Sequence, residues 1–216
     1  MRKKVKRRFF LFLALAALLV LFAVIAPYFA PNDPYATNPA AMKAAPCAQY
    51  PFGTDKLGRC IFSRVLAGAR ISIFSAVSLV AVTFLIGTVI GIFCGYYGGI
   101  FDSLVMRLAD ILMALPEMVL AIAVAGMLGG SMWNAMVALG FAGWTTYARL
   151  AKSQVLIQKK EAYVSAAQMG GCPDLHIMVF HILPNIIGTL VVNATSKIGS
   201  MMMGFAGLSF LGLGVQ

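Results

Sequence analysis

The chain has only two histidines, four cysteines and seven acidic residues, a thin supply of the groups that most often act as catalytic bases or metal ligands. His176 and His181 belong to no HExxH or HxxxH pair, and the cysteines form no CxxC. A structural metal site needs several such ligands at close spacing. A catalytic nucleophile needs a base beside it. Neither pattern is present, so an enzyme with its own active site is disfavoured. The phosphate-cradling loop G-x-x-x-x-G-K-[ST] is also missing, and no Gly-Lys pair occurs anywhere. Nucleotide chemistry, if the protein depends on it, must come from another chain.

What remains is charge in apolar surroundings. Arg107, Asp110, Glu117 and Lys197 sit inside long hydrophobic stretches. Ionisable groups placed there are costly and mark pathways, relays or local pairs. Arg107 and Asp110 are close enough along one helical face to pair with each other. Asn193, Lys197 and Met201 share four-residue spacing on another. Lys197 can meet an anionic group on a path, or snorkel to the outer interface. The thioethers of Met201–Met203 suit soft metals, though methionine is also a common packing residue. The candidate path residues are therefore Asp110, Glu117, Asn193, Lys197 and Met201, with no dedicated metal site.

These residues need a lipid-embedded scaffold. Hydrophobic residues make up 61% of the 216 positions and charged ones 11%, against roughly 25% charged in an ordinary soluble domain. Mean hydropathy is +0.88. One soluble core cannot hide that much apolar surface, whereas a bilayer can. Unbroken apolar runs without alternation imply helices, not a membrane barrel. The net charge of +10 does not indicate nucleic acid: six of the seventeen basic residues lie within Met1–Arg8, ahead of the first apolar run. That is the pattern of a cytoplasmic flank.

About five spans follow. The first covers residues 9–30 and is read as a retained anchor, because it is longer than a signal-peptide core. Residues 31–70 form an extracytoplasmic loop. The core, residues 71–216, holds spans at 71–97, 104–128, 133–150 and a last one from about His181 or Pro184 to Phe205. Gly87, Gly91 and Gly95 let another helix approach the second span closely. Pro116 should kink the third. Starting inside, four crossings return the chain to the inside at residue 150, where Arg149, Lys152, Lys159 and Lys160 gather.

The loop at 151–180 is too polar to insert and too helix-favouring for a plain connector. A short helix should run from Glu161 to Gln168 and stop at Gly170-Gly171. Pro173 should delay a restart, and Asp174 can cap the next helix. The small side chains of Ala162, Ala166 and Ala167 suit docking into a groove on a soluble partner.

The spacing S-A-A-x-x-x-G, nine residues, then H-I-L-P resembles the EAA motif of bacterial ABC importer permeases, with Ser165, Ala166, Ala167, Gly171, His181, Leu183 and Pro184 at the motif positions. Ser165 replaces the usual Glu and His181 the usual Ile, as in the dipeptide, oligopeptide and nickel branch. FGTDKLGRCIFSR resembles that branch's GTD-x-LGRD-x-x-SR, with Cys60 in place of Asp. GWTTYARLAKSQVL and AGLSFLGLG resemble two further stretches in the same order. The resemblance implies an all-α polytopic bundle of the type I importer permease kind. Such permeases usually have six spans and continue past LSFLGLG, whereas this sequence stops at Gln216. It also implies a second permease subunit, two cytoplasmic ATPase subunits that bind ATP and Mg, and an extracytoplasmic substrate-binding protein, in a bacterial inner membrane. The coupling residues would be Glu161, Tyr163, Ser165, Ala166, Ala167, Met169, Gly170, Gly171 and Pro184. The stretch SMMMGFAGLSFLGLG looks closer to nickel-type permeases than to oligopeptide ones, so nickel or a metal chelate is the first expectation and a short peptide the alternative. A membrane scaffold without a path is the non-transport reading. Cys47 and Cys60 share the outer, oxidising side and can form a disulfide or remain two thiols.

Overall fold

The structure is a computed structural model that describes residues 2–214, with side chains from Phe10 onward except Leu19. The basic cluster of residues 1–8 and the terminal Gln216 fall outside the described side chains. The chain divides into two units, residues 1–75 and 76–216. Apart from one bridge between Thr54 and Cys60, the regular structure among the described residues is helical.

In the first unit, α1 (Arg2–Ile25) runs into a 3-10 turn at Ala26–Phe29 that begins with Pro27 at an early helical position. Phe10–Phe29 is long and apolar enough to cross a bilayer. Most of its described side chains are exposed, an arrangement that lipid stabilises and water does not.

The following loop is organised around Asp55. Its carboxylate accepts the backbone N–H groups of Leu57 (2.8 Å) and Arg59 (2.9 Å) and the Arg59 Nε (2.8 Å), and it also pairs with Arg64. Gly53 and Gly58 both have positive φ, and a Cβ on Gly58 would meet the Asn38 carbonyl oxygen at 1.8 Å. The GTDKLGR stretch thus reads physically as two left-handed turns closed by one carboxylate. Cys47 is exposed, Cys60 is buried, and both are free thiols. Burial works to raise the Asp55 pKa, but the Arg59 and Leu57 amides and the Arg59 guanidinium outweigh it and hold the carboxyl at about 2. A carboxyl depressed from about 3.9 stabilises the folded loop above that value, and the effect is lost as pH falls towards the native pKa. Amide exchange at Leu57 and Arg59 should therefore stay protected from neutral pH down to about pH 4 and lose protection between about pH 4 and 2. Unchanged protection across that window would remove the carboxylate from its role.

The long helix α2 (Ile61–Tyr97) begins ahead of the expected boundary at residue 71, because the helix-favouring SRVLAGAR stretch joins it. Four more helices follow in the second unit before the last long one: α3 (Gly99–Ala114), α4 (Glu117–Leu128), α5 (Met132–Gln158) and α6 (Ala162–Met169). A single turn, α7 (Asp174–His176), leads through a π-helical stretch at Ile177–Ile182 into α8 (Leu183–Phe210). The expected kink at Pro116 is a break of 92° between α3 and α4. Leu115 before the proline is driven to φ −94°, ψ 142°, because the proline ring disfavours helical backbone in the residue preceding it.

Ile61–Tyr97 and Asp174–Phe210 are each long and apolar enough to span, and α3 with α4 passes as one bent span. Helix α5 is not among these, which leaves three or four spans on length and composition against the five expected. It is instead the enclosed helix. Its buried side is mostly alanine and glycine (Ala135, Ala138, Ala142, Gly143, Ala148 and Ala151 among them); along that side neighbours replace lipid, while Trp133, Val137, Phe141 and Ile157 stay exposed. A Cβ on Gly87 would lie 2.7 Å from Tyr147 Cβ, one on Gly91 2.7 Å from Ala151 Cβ, and one on Gly95 2.8 Å from Val155 Cβ. Each glycine faces a residue about 60 positions later. The glycine stripe therefore seats α2 on α5, and the two helices run parallel. Parallel neighbours require the intervening chain to return to the starting side, so α3 and α4 together carry it back from the end of α2 to the start of α5. Opposite α5, α8 runs antiparallel: Met201 approaches Gly143 and Gly204 approaches Leu139.

The π-helical stretch explains why Pro184 does not start the last span. A proline's ring clashes with the carbonyl four residues earlier, here that of Phe180. Widening the turn before it relieves the clash, so the helix is continuous from Asp174 to Phe210.

Candidate functional site

At the end of α5 the chain turns at Lys159–Glu161 and enters α6. Val164 is fully buried among Val155, Ile177, Ile182 and Ile186 and anchors the helix. Tyr163 is half-buried; its hydroxyl donates to Gln158 Oε1 (2.5 Å) and accepts from Asn185 Nδ2 (3.2 Å). Burial raises the Tyr163 pKa, with Glu161 adding and the Asn185 amide opposing, so the phenol stays a donor at neutral pH. Ala167 is partly buried, while Ala162, Ser165, Ala166 and Met169 are exposed. Those four positions follow i, i+3, i+4, i+7 and form one stripe. The exposed surface of α6 is thus small-sided and ends in Met169, 85% exposed.

The helix closes with a Schellman motif. Cys172 N–H donates to the Ala167 carbonyl (3.1 Å) and Gly171 N–H to that of Gln168 (3.0 Å). Gly171 carries φ +76°, the left-handed position for which glycine is preferred. Gly170 has φ −74°, so only the second glycine of the pair is conformationally demanded. Pro184 is exposed in the first turn of α8. Asp174 does not cap: α7 has no side-chain cap, and the carboxylate instead accepts the Tyr96 hydroxyl at 2.7 Å.

A second set of residues lines the face of α5 turned towards α3, α4 and α8. Three ion pairs follow one another along it. Lys152 Nζ donates to Asp102 Oδ2 (2.7 Å), Arg149 pairs with Asp110, and Lys197 Nζ donates to Glu117 Oε2 (3.1 Å). Asp110 does not pair with Arg107 as its spacing suggested, because α5 brings the Arg149 guanidinium to it. Beside the Lys197–Glu117 pair is a cavity of about 330 Å³, also lined by Met113, Pro116, Thr145 and Thr146. A neighbouring cavity of about 390 Å³ shares Met113 and Thr146 and adds Arg149, Ser153 and Asn193. A third, about 310 Å³, continues past Arg149 and Ser153 to Lys152 and Asp110. The three cavities share lining residues along this face, and both signs of charge lie on their walls. The Asn193 Oδ1 is buried without a hydrogen-bond partner among the described residues.

Met201 does not join this face. It is 2% exposed and packs with Leu139, Tyr147, Phe205 and Leu208. Two four-residue steps advance about 80° around a helix, enough to turn Met201 away from Asn193 into the core. Among the described residues, no group of three or more His, Cys, Asp or Glu side chains could hold a metal. Sequence reasoning missed the Asp102–Lys152 pair and the Tyr96–Asp174 hydrogen bond. Only the basic residues clustered after residue 148 hinted at partners on the third span.

A bundle of membrane-spanning helices, with an anchored loop helix at one end and a charged groove along its middle, is the build of a transport component. The chain belongs to the family described as binding-protein-dependent transport system inner membrane component, which it matches over residues 87–216. Residues 4–46 match the N-terminal transmembrane domain of oligopeptide transport permease C. The chain is 39% identical over 199 residues to the probable D,D-dipeptide transport system permease protein of Escherichia coli (strain K12), covering 92% of this chain and 67% of that one. It is 38% identical to the nickel transport system permease protein of the same strain, over 94% of this chain and 73% of the relative. With the glutathione transport system permease protein of Escherichia coli O6:K15:H31 (strain 536 / UPEC) it shares 41% identity, over 95% and 67%. The chain spans about two thirds of the length of the curated relatives it matches.

Proposed function

We propose that this chain is one transmembrane permease subunit of an ATP-driven importer in a bacterial inner membrane, with its N-terminus in the cytoplasm. Its α6 docks into a cleft of a separate ATPase subunit. Two such ATPases bind ATP and Mg, a second permease subunit completes the path, and an extracytoplasmic binding protein delivers substrate. The observation that carries this reading is the coupling loop: a short helix locked on one side by Val164 and Tyr163 and offering a small-sided stripe on the other. Such a surface lets a partner's groove close on it while the buried side passes force to α5 and α8.

The substrate is nickel or a metal chelate, or a short peptide. The peptide reading gains from the groove, where Lys197 and Glu117 face each other beside a cavity. A zwitterionic substrate can meet both charges there. The metal reading loses Met201, which is core, while Met203 is exposed. Asp110, Glu117, Asn193 and Lys197 remain the proposed path residues.

Replacing Gly171 by leucine tests the docking claim. No neighbour lies within 4 Å of a Cβ at this position, but its φ of +76° strains any L side chain, at a cost of about 1–2 kcal/mol. The expected result is a permease that expresses normally but no longer retains ATPase subunits on purification and no longer takes up substrate. Normal uptake with ATPases bound would refute docking through this loop.

A further inference from the structure

We infer that Tyr96 is a positioning residue that ties the second span to the coupling loop, through Gln168 in the last turn of α6 and Asp174 at the start of the last helix, so that movement of the loop reaches α2 without passing through α5. This rests on the proposed coupling role of α6. Along the chain, α6 is attached only to α5 before it and α8 after it. Tyr96 supplies a third attachment. It is the penultimate residue of α2 and only 4% exposed. Its hydroxyl donates to Asp174 Oδ1 at 2.7 Å and accepts from Gln168 Nε2, on α6, at 3.4 Å. Its carbonyl accepts Lys159 Nζ at 2.5 Å, and the same ammonium lies 5.2 Å from its ring centroid. One residue thus touches the end of α5, the last turn of α6 and the start of the helix that becomes α8.

The chemistry suits a clamp. The bond to Asp174 is charge-assisted and short, and the ring packs in the same cluster as Val164, Ile177 and Val155. Lys159 holds the backbone end of α2 independently of the hydroxyl, so removing the hydroxyl breaks the bonds to Gln168 and Asp174 while leaving α2 seated on α5. Because α2 is clamped to α5 by its glycine stripe, any push on Tyr96 moves the α2–α5 pair as one body.

The test uses the complete importer, reconstituted with its ATPases, second permease and binding protein, follows uptake of radiolabelled nickel and of a labelled dipeptide, and compares Tyr96→Phe, Asp174→Ala and Asp174→Asn with whichever probe the parent imports. Losing a charge-assisted hydrogen bond is expected to cut substrate imported per ATP hydrolysed by about tenfold, with ATPases still bound and basal hydrolysis unchanged. Asp174→Ala should match Tyr96→Phe, and the double variant should be no worse than either. Asp174→Asn keeps an acceptor for the phenol and should recover most of the coupling. Uptake per ATP within about twofold of the parent in Tyr96→Phe would overturn the proposal. So would loss of the ATPases from that variant, which would reduce the phenol to support for the docking surface. An unmutated complex that fails to bind ATPases would instead sink the importer reading itself.

Discussion

Gly91→Ala lowers the thermal midpoint of the detergent-solubilised protein, and Gly91→Leu prevents it from accumulating as a monodisperse species. The reason is geometric. A Cβ at Gly91 would stand 2.3 Å from the Ala148 carbonyl oxygen, well inside contact distance, and 2.7 Å from Ala151 Cβ. The first neighbour is backbone in the middle of α5 and cannot rotate away. The two helices must separate, and separation breaks the facing contacts at Gly87 and Gly95 along with it. Overpacking of this kind typically costs about 1–3 kcal/mol, and a leucine adds volume that no local shift accommodates. Gly199→Ala is the control, because nothing lies within 4 Å of its Cβ. There the only change is the gain in helix propensity, about 0.5–1 kcal/mol in favour of alanine. Thermal unfolding followed by size-exclusion fluorescence separates the two. Equal midpoints for the Gly91 and Gly199 variants would mean that the α2–α5 contact does not hold the bundle.

That stripe was legible in the sequence because small residues four apart have one common physical use in lipid. The short loop helix α6 was legible for a similar reason: its ends are written in local chemistry, with Gly171 at the left-handed position. The proline break was only half legible. A kink follows from the missing donor, but a turn of 92° depends on what packs on either side. Least legible were the ion pairs. Asp110 has Arg107 close by in sequence and Arg149 39 residues away, and the structure pairs it with the distant one. Local spacing says which side chains share a face and nothing about which helix arrives opposite. Tyr96 was missed on the same ground, since its partner Asp174 is 78 residues distant.

Lys197 and Glu117 provide the sharpest test of the groove. Lys197→Met leaves a carboxylate facing a membrane-embedded cavity, and Glu117→Gln leaves an ammonium there. Their side chains are 21% and 40% exposed, so the penalty lies between the 3–5 kcal/mol of a fully buried orphan charge and the near-zero value of a surface pair, about 1–2 kcal/mol. Each single variant is expected to be destabilised by that amount and to lose at least tenfold in uptake. The double variant removes both charges together, so its stability should return close to the parent. Its uptake should not return, because a path that meets a substrate's two charges needs both partners. This asymmetry distinguishes a translocation role from structural glue, where stability and transport would recover together. The pair lies beside Pro116, at the break between α3 and α4, where the backbone is interrupted and the chain can hinge. On the proposed path, a charged substrate entering the cavity would compete with each member of the pair for the other, and opening at the break would be linked to occupancy through one ion pair. Wild-type uptake by the double variant would leave the break as a packing feature and move the path elsewhere.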